Sequence, residues 1–343
     1  MKPSACIRTC ANHQLQRGLS LVELMISITI GLLILSSMTT LFVNQSRTRA
    51  ELDKSNRMID NGRYATELLS ENLKLAGFYG MLNPTSIALP GAMPDPCSTT
   101  MSDISAAIPL HIQGYDAASP TTAVASPPTC VPATVKTGSD ILVIRRADTS
   151  TPVAQTAAVN GTPYLQASLC QYDTPTIYKV DNTPANFTLR QRNCTTTSTT
   201  PYADLRRMLV HIYFIDSNNV TGDGIPTLKR IELGSNGAMT TVALVEGIEF
   251  MQVDYGLDTT ADGAADSYTT CSACTIANWS NVMSIKISLL ARNLETSAGY
   301  TDTKTYTLGI AGTHTPAASD NYKRHVYTQN IRLVNPSSRR EAP

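Results

Sequence analysis

The chain carries the stretch RGLSLVELMISITIGLLILSSMTTLFV at residues 17–43. Gly18 opens an apolar run in which Glu23, five residues later, is the only charged side chain. About twenty consecutive apolar residues are enough for a helix to cross the hydrocarbon core of a bilayer. The stretch therefore predicts a membrane-spanning helix near the start of the chain.

Residues 1–18 set the expected orientation of this helix. They include Lys2, Arg8 and Arg17 and no acidic residue. Basic residues stay on the cytoplasmic side of a membrane helix, so we expect a single-pass protein of the inner membrane with its N-terminus inside and its bulk exported to the periplasm.

Two simple interpretations of the stretch leave residues unexplained. A secretory signal is cleaved at small residues after the apolar run, and 36–38 (Ser-Ser-Met) fits that pattern poorly. A plain membrane anchor gives no role to Gly18 or Glu23. An acid inside a membrane segment costs about 2.5–3.5 kcal/mol at the helix centre and needs a partner, although a position near the start of the run, as for Glu23, lowers that cost.

The segment GLSLVEL, residues 18–24, resembles the type III signal of type IV prepilins and of type II secretion pseudopilins. The resemblance implies that a membrane prepilin peptidase cuts after Gly18 and methylates the new N-terminal residue, Leu19. It also implies that Glu23 pairs with the positive N-terminus of a neighbouring subunit, which would supply the partner that a buried acid requires.

The helix is expected to continue beyond the apolar run. Apolar residues recur at a spacing of three to four between Leu52 and Ala76, and Gly77 follows as a stop signal. We predict one helix from Leu19 to Ala76. The predicted segments are a leader at 1–18, a transmembrane and assembly half at 19–43, an amphipathic half at 44–77, a globular head at 78–335 with insertions at about 83–139 and 147–205, and a tail at 336–343.

The rest of the chain indicates a β-rich head. Residues 285, 287 and 289 are apolar and alternate with polar ones, as in a sheet with one buried face. Short connections favour antiparallel pairing. The predicted fold class is α+β, a long helix packed on an antiparallel sheet. Predicted strands lie at 140–145, 207–215, 227–233, 240–255, 279–291, 304–310 and 322–334, with the insertions as loops.

Composition restricts the function classes. The 343 residues suit one sizeable exported domain, and 27 basic and 27 acidic residues give a formal net charge of zero. No direct nucleic-acid contact is predicted, because no basic footprint is present. The sequence lacks the usual hydrolase, metalloprotease and phosphate-loop motifs, so we expect no enzyme activity.

The cysteines divide between the leader and the head. Cys6 and Cys10 lie in the leader, and an even number of cysteines in an exported head indicates disulfides. Sequence alone leaves the pairing open. The nearest-neighbour scheme, which would close two of the bridges around Pro/Thr/Ser-rich insertions, joins Cys97 to Cys130, Cys170 to Cys194 and Cys271 to Cys274.

One acidic segment has partial calcium-loop spacing. Asp258, Thr260, Asp262 and Asp266 stand at positions one, three, five and nine, with a glycine at six. Position twelve is Thr269 instead of the usual bidentate glutamate. The segment is therefore a candidate for weak calcium binding, and the competing interpretation is an Asp/Gly turn between strands.

The Cys271-Ser-Ala-Cys274 motif allows a redox pair or half of a zinc site as well as a structural disulfide. A redox motif should open a helix after a strand, and a structural zinc site needs two more ligands. The sequence predicts neither context, so we expect a disulfide. No cofactor is predicted apart from the candidate calcium ion.

The head also resembles minor pilins of the pilus-assembly protein W type. The similar segments are 77–80 (GFYG), 228–230 (LKR), 245–250 (VEGIEF), 253–258 (VDYGLD), 279–282 (WSNV) and 328–333 (TQNIRL). The insertions between 83 and 201 are not similar. This resemblance implies a minor pilin that primes fibre assembly with other minor pilins and the major pilin, and that lies at or near the pilus tip beside an adhesin.

The same resemblance implies a role in twitching motility, adhesion and DNA uptake. One alternative is a minor pseudopilin of type II secretion. The other is an anchored surface protein that binds calcium or another ligand and keeps its leader. A free edge of the predicted sheet would offer a docking route for other subunits.

Overall fold

A computed structural model describes residues 18, 20–195, 197 and 201–341. The chain divides into two compact units, Met1–Asp53 and Lys54–Pro343. The second unit contains the end of the first helix and the whole β-rich head.

The described residues form four α-helices and thirteen β-strands. The helices are α1 (Leu21–Lys74), α2 (Met101–Ala106), α3 (Ile276–Ser280) and α4 (Val334–Glu341). The strands are β1 (Ile112–Tyr115), β2 (Ile141–Ala147), β3 (Tyr164–Ala167), β4 (Tyr178–Asp181), β5 (Leu205–Asp216), β6 (Thr227–Leu233), β7 (Met239–Glu246), β8 (Ile248–Leu257), β9 (Ser267–Thr269), β10 (Val282–Arg292), β11 (Tyr306–Thr307), β12 (Thr313–His314) and β13 (Arg324–Arg332).

Helix α1 has the predicted extent, although Leu19 lies outside the described residues. Its last five turns bury one stripe that includes Met58, Ala65, Leu69 and Leu73. The helix ends before Gly77, whose φ of 69° is a backbone conformation that favours glycine. The stripe packs into the core of the head.

The strands form two main antiparallel sheets. One has the order β1-β2-β5-β3-β4, with β6 also paired to β5 and β7 paired to β6, and the other has the order β13-β10-β8-β9. One core contains the α1 stripe together with residues of both sheets, and a second core lies against the insertions. The predicted α+β class, with a long helix packed on antiparallel strands, is confirmed.

Several strand predictions are wrong in detail. The insertions predicted as loops contain β1, β3 and β4, which are only four residues long and too short to show a period. The predicted strand 240–255 is two strands, because Gly247 takes a φ of 76° between them. The predicted strand 304–310 retains only β11.

The first residues of the predicted strand 279–291 also differ. Trp279 lies in α3, where it packs edge-on against Tyr255 with ring centroids 4.8 Å apart. Thr275 and Asn278 form a capping box that begins this helix. The local hydrogen bonds of the box compete successfully with the strand tendency of the aromatic residue.

Residues 334–341, which include most of the predicted tail, form helix α4 and pack on the head. Asn335 Nδ2 donates to the carbonyls of Lys74 and Ala76, each at 3.2 Å, and Arg339 Nη2 donates to Gly77 O at 2.8 Å. The last carbonyls of a helix lack partners within the helix and carry partial negative charge. Helix α4 supplies those partners to the end of α1.

Replacing Gly62 by alanine is expected to lower the free energy of unfolding of the head by about 1–3 kcal/mol. A Cβ at this position would lie 2.1 Å from Cε2 of Tyr327, whose hydroxyl donates to Ile59 O at 3.3 Å. Urea unfolding followed by the fluorescence of the single tryptophan, Trp279, measures the change.

Gly31→Ala on the same helix is the matched control, because an added Cβ there meets no atom within 4 Å. A Gly62→Ala protein as stable as the wild type would contradict the close packing of α1 on β13. Tyr327→Ala in the Gly62→Ala background should remove the clash.

Candidate processing and assembly site

The start of α1 is organised by Ser20 and Glu23. Ser20 Oγ accepts a hydrogen bond from Val22 N at 3.3 Å, and Ser20 N donates to Glu23 Oε2 at 3.1 Å. Ser20 thus stands at the N-cap and Glu23 at the third helical position, as in a capping box, except that Ser20 Oγ accepts from the second helical amide instead of the third. Two backbone N–H groups that the helix leaves free obtain acceptors in this way.

Ser20 is a site residue that the sequence interpretation missed. Its signal was readable, because Ser20-Leu21-Val22-Glu23 has the S-x-x-E spacing of a capping box before an apolar run. Gly18 is exposed, and an added Cβ there would meet no atom within 4 Å. Leu19, the predicted first mature residue, lies outside the described residues.

The apolar part of α1 has no apolar partner among the described residues. Its large side chains between Leu21 and Phe42 are each more than half exposed. The helix is long and apolar enough to cross a membrane, with a mean hydropathy of 2.1 over its most apolar window. Such a surface is stable only in lipid or against other apolar helices.

Five of the six hydroxyl side chains within this apolar part are satisfied inside the helix. Ser27, Thr29, Ser37, Thr39 and Thr40 each donate to the backbone carbonyl four residues earlier, at 2.7–3.0 Å. An unpaired hydroxyl in hydrocarbon would cost several kcal/mol, roughly 4–8 on alkane scales. Glu23 is therefore the one side chain of 21–43 whose charge needs compensation from outside the helix once it enters an apolar environment.

The carboxylates of the acidic loop at 258–266 accept hydrogen bonds from backbone amides of the same loop. Asp258 is buried and accepts hydrogen bonds from Ala261 N at 2.6 Å and Gly263 N at 2.9 Å. Asp266 accepts from the amide of Thr259 at 2.6 Å. Arg340 of α4 donates to the Asp258 carboxylate at 2.9 Å. These contacts fit the interpretation of the segment as an Asp/Gly turn between strands.

These contacts do not suit a calcium ion. Burial alone would raise the pKa of Asp258, but the hydrogen bond from Arg340 and those from Gly263 N and Ala261 N lower it below its usual value. Three backbone amides and the Arg340 guanidinium already donate to the two oxygens of the Asp258 carboxylate. Among the described residues, no group of three or more His, Cys, Asp or Glu side chains is placed to hold a metal ion.

Calcium is accordingly expected to leave the thermal unfolding midpoint of the head unchanged, because a ligand stabilises only a fold that binds it. Differential scanning calorimetry with millimolar calcium and then with a chelator measures this. A rise in the midpoint with calcium that Asp258→Asn abolishes would contradict the expectation.

Three disulfides are present among the described residues, and they are the nearest-neighbour pairs. Cys97 is bonded to Cys130, Cys170 to Cys194 and Cys271 to Cys274. The first two close loops of 33 and 24 residues inside the insertions. Cross-links of this length stabilise a fold by about 3–4 kcal/mol in the chain-entropy description.

The surroundings of Cys271 and Cys274 differ from those predicted, since the pair lies between β9 and α3. A strand and a helix therefore do flank the motif. Helix α3 is only five residues long, and Thr275 already caps its first turn through Asn278. Both cysteines contact the main core, so the disulfide has a structural role there.

Comparison with known families agrees with the two resemblances read from the residues. Residues 212–335 match the family described as type IV pilus-assembly protein W, and residues 14–39 match the prokaryotic N-terminal methylation motif. No curated protein and no solved structure shows significant similarity to the chain. The methylation motif implies processing by a prepilin peptidase and assembly with other pilus components. The two matches together support a pilin of type IV pilus assembly, with residues 212–335 similar to the protein W family.

Proposed function

We propose that this protein is a minor pilin that primes fibre formation together with other minor pilins and lies at or near the pilus tip. In this proposal the prepilin peptidase cuts after Gly18 and methylates Leu19. The N-terminus faces the cytoplasm and the head faces the periplasm until assembly. The protein acts by non-covalent association and has no catalytic centre.

The exposed apolar half of α1 is the observation that carries the proposal. It combines a surface that needs lipid or neighbouring helices with one acid, Glu23, near its start. A helix meant only as an anchor would not need that acid. The match of residues 212–335 to a pilus-assembly family favours the pilus over type II secretion.

The capping box supports a specific course for assembly. In the membrane, Glu23 is partly compensated by the amide of Ser20. In the fibre, we infer that it exchanges this neutral donor for the methylated ammonium of a neighbouring subunit. The ammonium brings a full positive charge to the carboxylate, whereas the amide brings only a dipole, so in apolar surroundings the exchange favours the assembled state.

The experiment that tests the proposal is mass spectrometry of the N-terminal peptide of the protein from its native membrane, with and without the prepilin peptidase. We expect a chain that begins at methylated Leu19 only when the peptidase is present. A chain that keeps residues 1–18 would overturn the pilin mechanism and favour an anchored surface protein. Cleavage after the apolar run would indicate ordinary secretion.

Replacing Glu23 by alanine is expected to leave export and head folding intact but to strongly reduce the number of surface pili. The neighbour's ammonium would lose its partner in apolar surroundings, at a cost of about 3–5 kcal/mol. Pili are counted by electron microscopy, and export is checked by protease access to the head.

Glu67→Ala is the matched control, because Glu67 is an exposed acid on the same helix. Normal piliation in the Glu23→Ala strain would remove the pairing role from the proposal. Twitching, adhesion and DNA uptake are expected to fall together with piliation, since each depends on an assembled fibre. Immunogold labelling that follows the fibre shaft instead of its end would contradict the tip location.

A further inference from the structure

A cavity lies in the head where the segment after α1, the start of β10 and helix α4 meet. Its volume is about 480 Å³, which is within the range of small-molecule sites. Much of its wall is apolar and includes the side chains of Ile87, Leu89 and Met283. Leu89 is 43% exposed. The cavity therefore offers a small ligand an apolar surface that water now contacts in part.

Two arginines of α4 line this cavity, and they differ in their partners. Arg340 donates to the carboxylate of Asp258 at 2.9 Å, so its charge is compensated. Arg339 donates to the carbonyl oxygen of Gly77 at 2.8 Å and forms no ion pair within the described part of the chain. Asp258 is the only acid among the described residues of the lining. The wall therefore contains one guanidinium group, that of Arg339, without an anionic partner.

A second arginine without an anionic partner lies behind the wall. Arg145 is 2% exposed, and its guanidinium donates to Leu110 O at 3.2 Å and to Gln113 Oε1 at 2.6 Å, which are both neutral acceptors. Burial lowers the pKa of His111, a residue of the lining, and the charges of Arg339 and Arg145 act in the same direction. His111 thus stays neutral at pH 7, and the surroundings of the cavity keep an excess of positive charge.

The hydroxyl group of Tyr79 points to the same missing acceptor. Tyr79 lines the cavity and is 1% exposed, and its hydroxyl has no hydrogen-bond partner among the described residues. Buried hydroxyl groups normally have a partner. Burial raises the pKa of Tyr79, so the group stays a neutral donor, and Arg145 and Arg339 lie near enough to oppose the rise. A donor and two guanidinium groups thus surround one region that lacks an anion.

We propose that this cavity binds a small organic carboxylate that carries an apolar body. The carboxylate pairs with Arg339, because the planar guanidinium fork matches the two oxygens of one carboxylate. The apolar body lies against Ile87, Leu89 and Met283. This site goes beyond the proposed role in the fibre. It lies within the head and does not depend on cleavage after Gly18, so either proposal can fail while the other stands.

The test is isothermal titration calorimetry of 3-phenylpropanoate into the full-length protein in phosphatidylcholine nanodiscs, with the signal of empty nanodiscs subtracted. We expect saturable binding with a dissociation constant on the order of 1 mM or tighter. The amide 3-phenylpropanamide lacks the charge, and acetate lacks the apolar body, so each should bind at least about tenfold more weakly. Equal binding of the acid and the amide, or no saturable binding of the acid, would overturn the proposal.

Arg339→Gln is expected to lower the affinity for 3-phenylpropanoate by about ten- to hundredfold, because a hydrogen bond between charged groups is lost. Arg339→Lys keeps the charge and should retain more of the affinity than Arg339→Gln. Arg332→Gln, at an exposed arginine outside the cavity lining, is the matched control and should bind as the wild type does. Unchanged binding by Arg339→Gln would contradict the assignment.

Substitutions of Leu89 test the charge requirement while the hydrogen bond from Arg339 to Gly77 stays in place. Leu89→Asp should bind the acid more weakly than the isosteric Leu89→Asn, and Leu89→Lys should bind it more tightly, because the three differ in charge. An order of affinities that ignores charge would overturn the proposal. A capped Leu-Glu-Leu tripeptide presents a carboxylate and apolar groups from a polypeptide. If it binds more tightly than the free acid, the ligand is a protein segment and the proposed small acid is wrong.

Discussion

Replacing Arg324 by methionine is expected to lower the free energy of unfolding of the head by about 3–5 kcal/mol. The Arg324 side chain is 1% exposed and contacts three carboxylates. Its guanidinium lies 2.5 Å from Glu249, 3.0 Å from Asp302 and 2.6 Å from Asp320. Methionine has a similar volume but cannot donate, so the loss reflects buried carboxylates left without a cation.

Arg332→Met is the matched control, on the same strand and with the same substitution. Arg332 and its partner Glu341 are each about half exposed, and such pairs contribute about 0–1 kcal/mol. Urea unfolding monitored by Trp279 compares the two variants. Equal small losses would show that the Arg324 cluster adds little to stability.

The second large effect concerns pH. Between pH 6.5 and pH 4, His111 is expected to contribute a fall of about 3 kcal/mol in the free energy of unfolding of the head. Burial lowers the pKa of His111 to about 4, and the nearby charges of Arg339, Arg340 and Arg145 act in the same direction. The hydrogen bond to Val282 O, at 2.7 Å, only partly opposes this.

The direction follows from proton binding in the two states. The unfolded chain protonates His111 as pH falls below about 6.5, whereas the folded chain keeps it neutral down to about pH 4. The unfolded state therefore binds more protons in this range, and acid favours unfolding. The stabilising contribution is complete above pH 6.5 and is lost as pH falls toward 4.

His111→Gln isolates this contribution, because glutamine can donate to Val282 O but does not titrate in this range. We expect the wild type to lose about 3 kcal/mol more than the variant between pH 6.5 and pH 4. Burial lowers the pKa of His211 to about 3, so a residual dependence of the same sign should remain. His325→Gln on the exposed face of β13 is the control, and an unchanged pH profile for His111→Gln would contradict the assignment.

Local patterns in the sequence predicted the elements that local forces determine. The 54-residue helix α1 was predictable because its apolar run, amphipathic stripe and final glycine all agree. Strand β10 was predictable from its alternation of apolar and polar residues, although the face expected to be wet is partly exposed only at Lys286 and Arg292 and buries Ser284 and Ser288. The strands of the insertions were not predictable, because four residues cannot establish a period and only pairing with distant strands makes them extended.

The candidate site was predictable to different degrees. Gly18 and Glu23 stood out because a glycine and an acid are unexpected at the edge of a membrane segment. The contact of Arg340 with the acidic loop was not readable, since Arg340 lies 82 residues beyond Asp258 in the chain. The Arg324 cluster likewise joins residues 75 and 22 positions apart. No local window contains both members of such a pair.

The position of α4 makes the end of α1 depend on residues far along the chain. The carbonyls of Lys74, Ala76 and Gly77 at the end of α1 accept hydrogen bonds from Asn335 and Arg339, which lie 259–262 positions further along the chain. Ser337 also donates to Met283 O, and Arg340 holds Asp258. In a chain that stops before residue 334, these carbonyls at the end of α1 therefore lack their hydrogen-bond donors. The two ends of the head are therefore coupled, because α1 reaches its full set of hydrogen bonds only when residues 334–341 are in place.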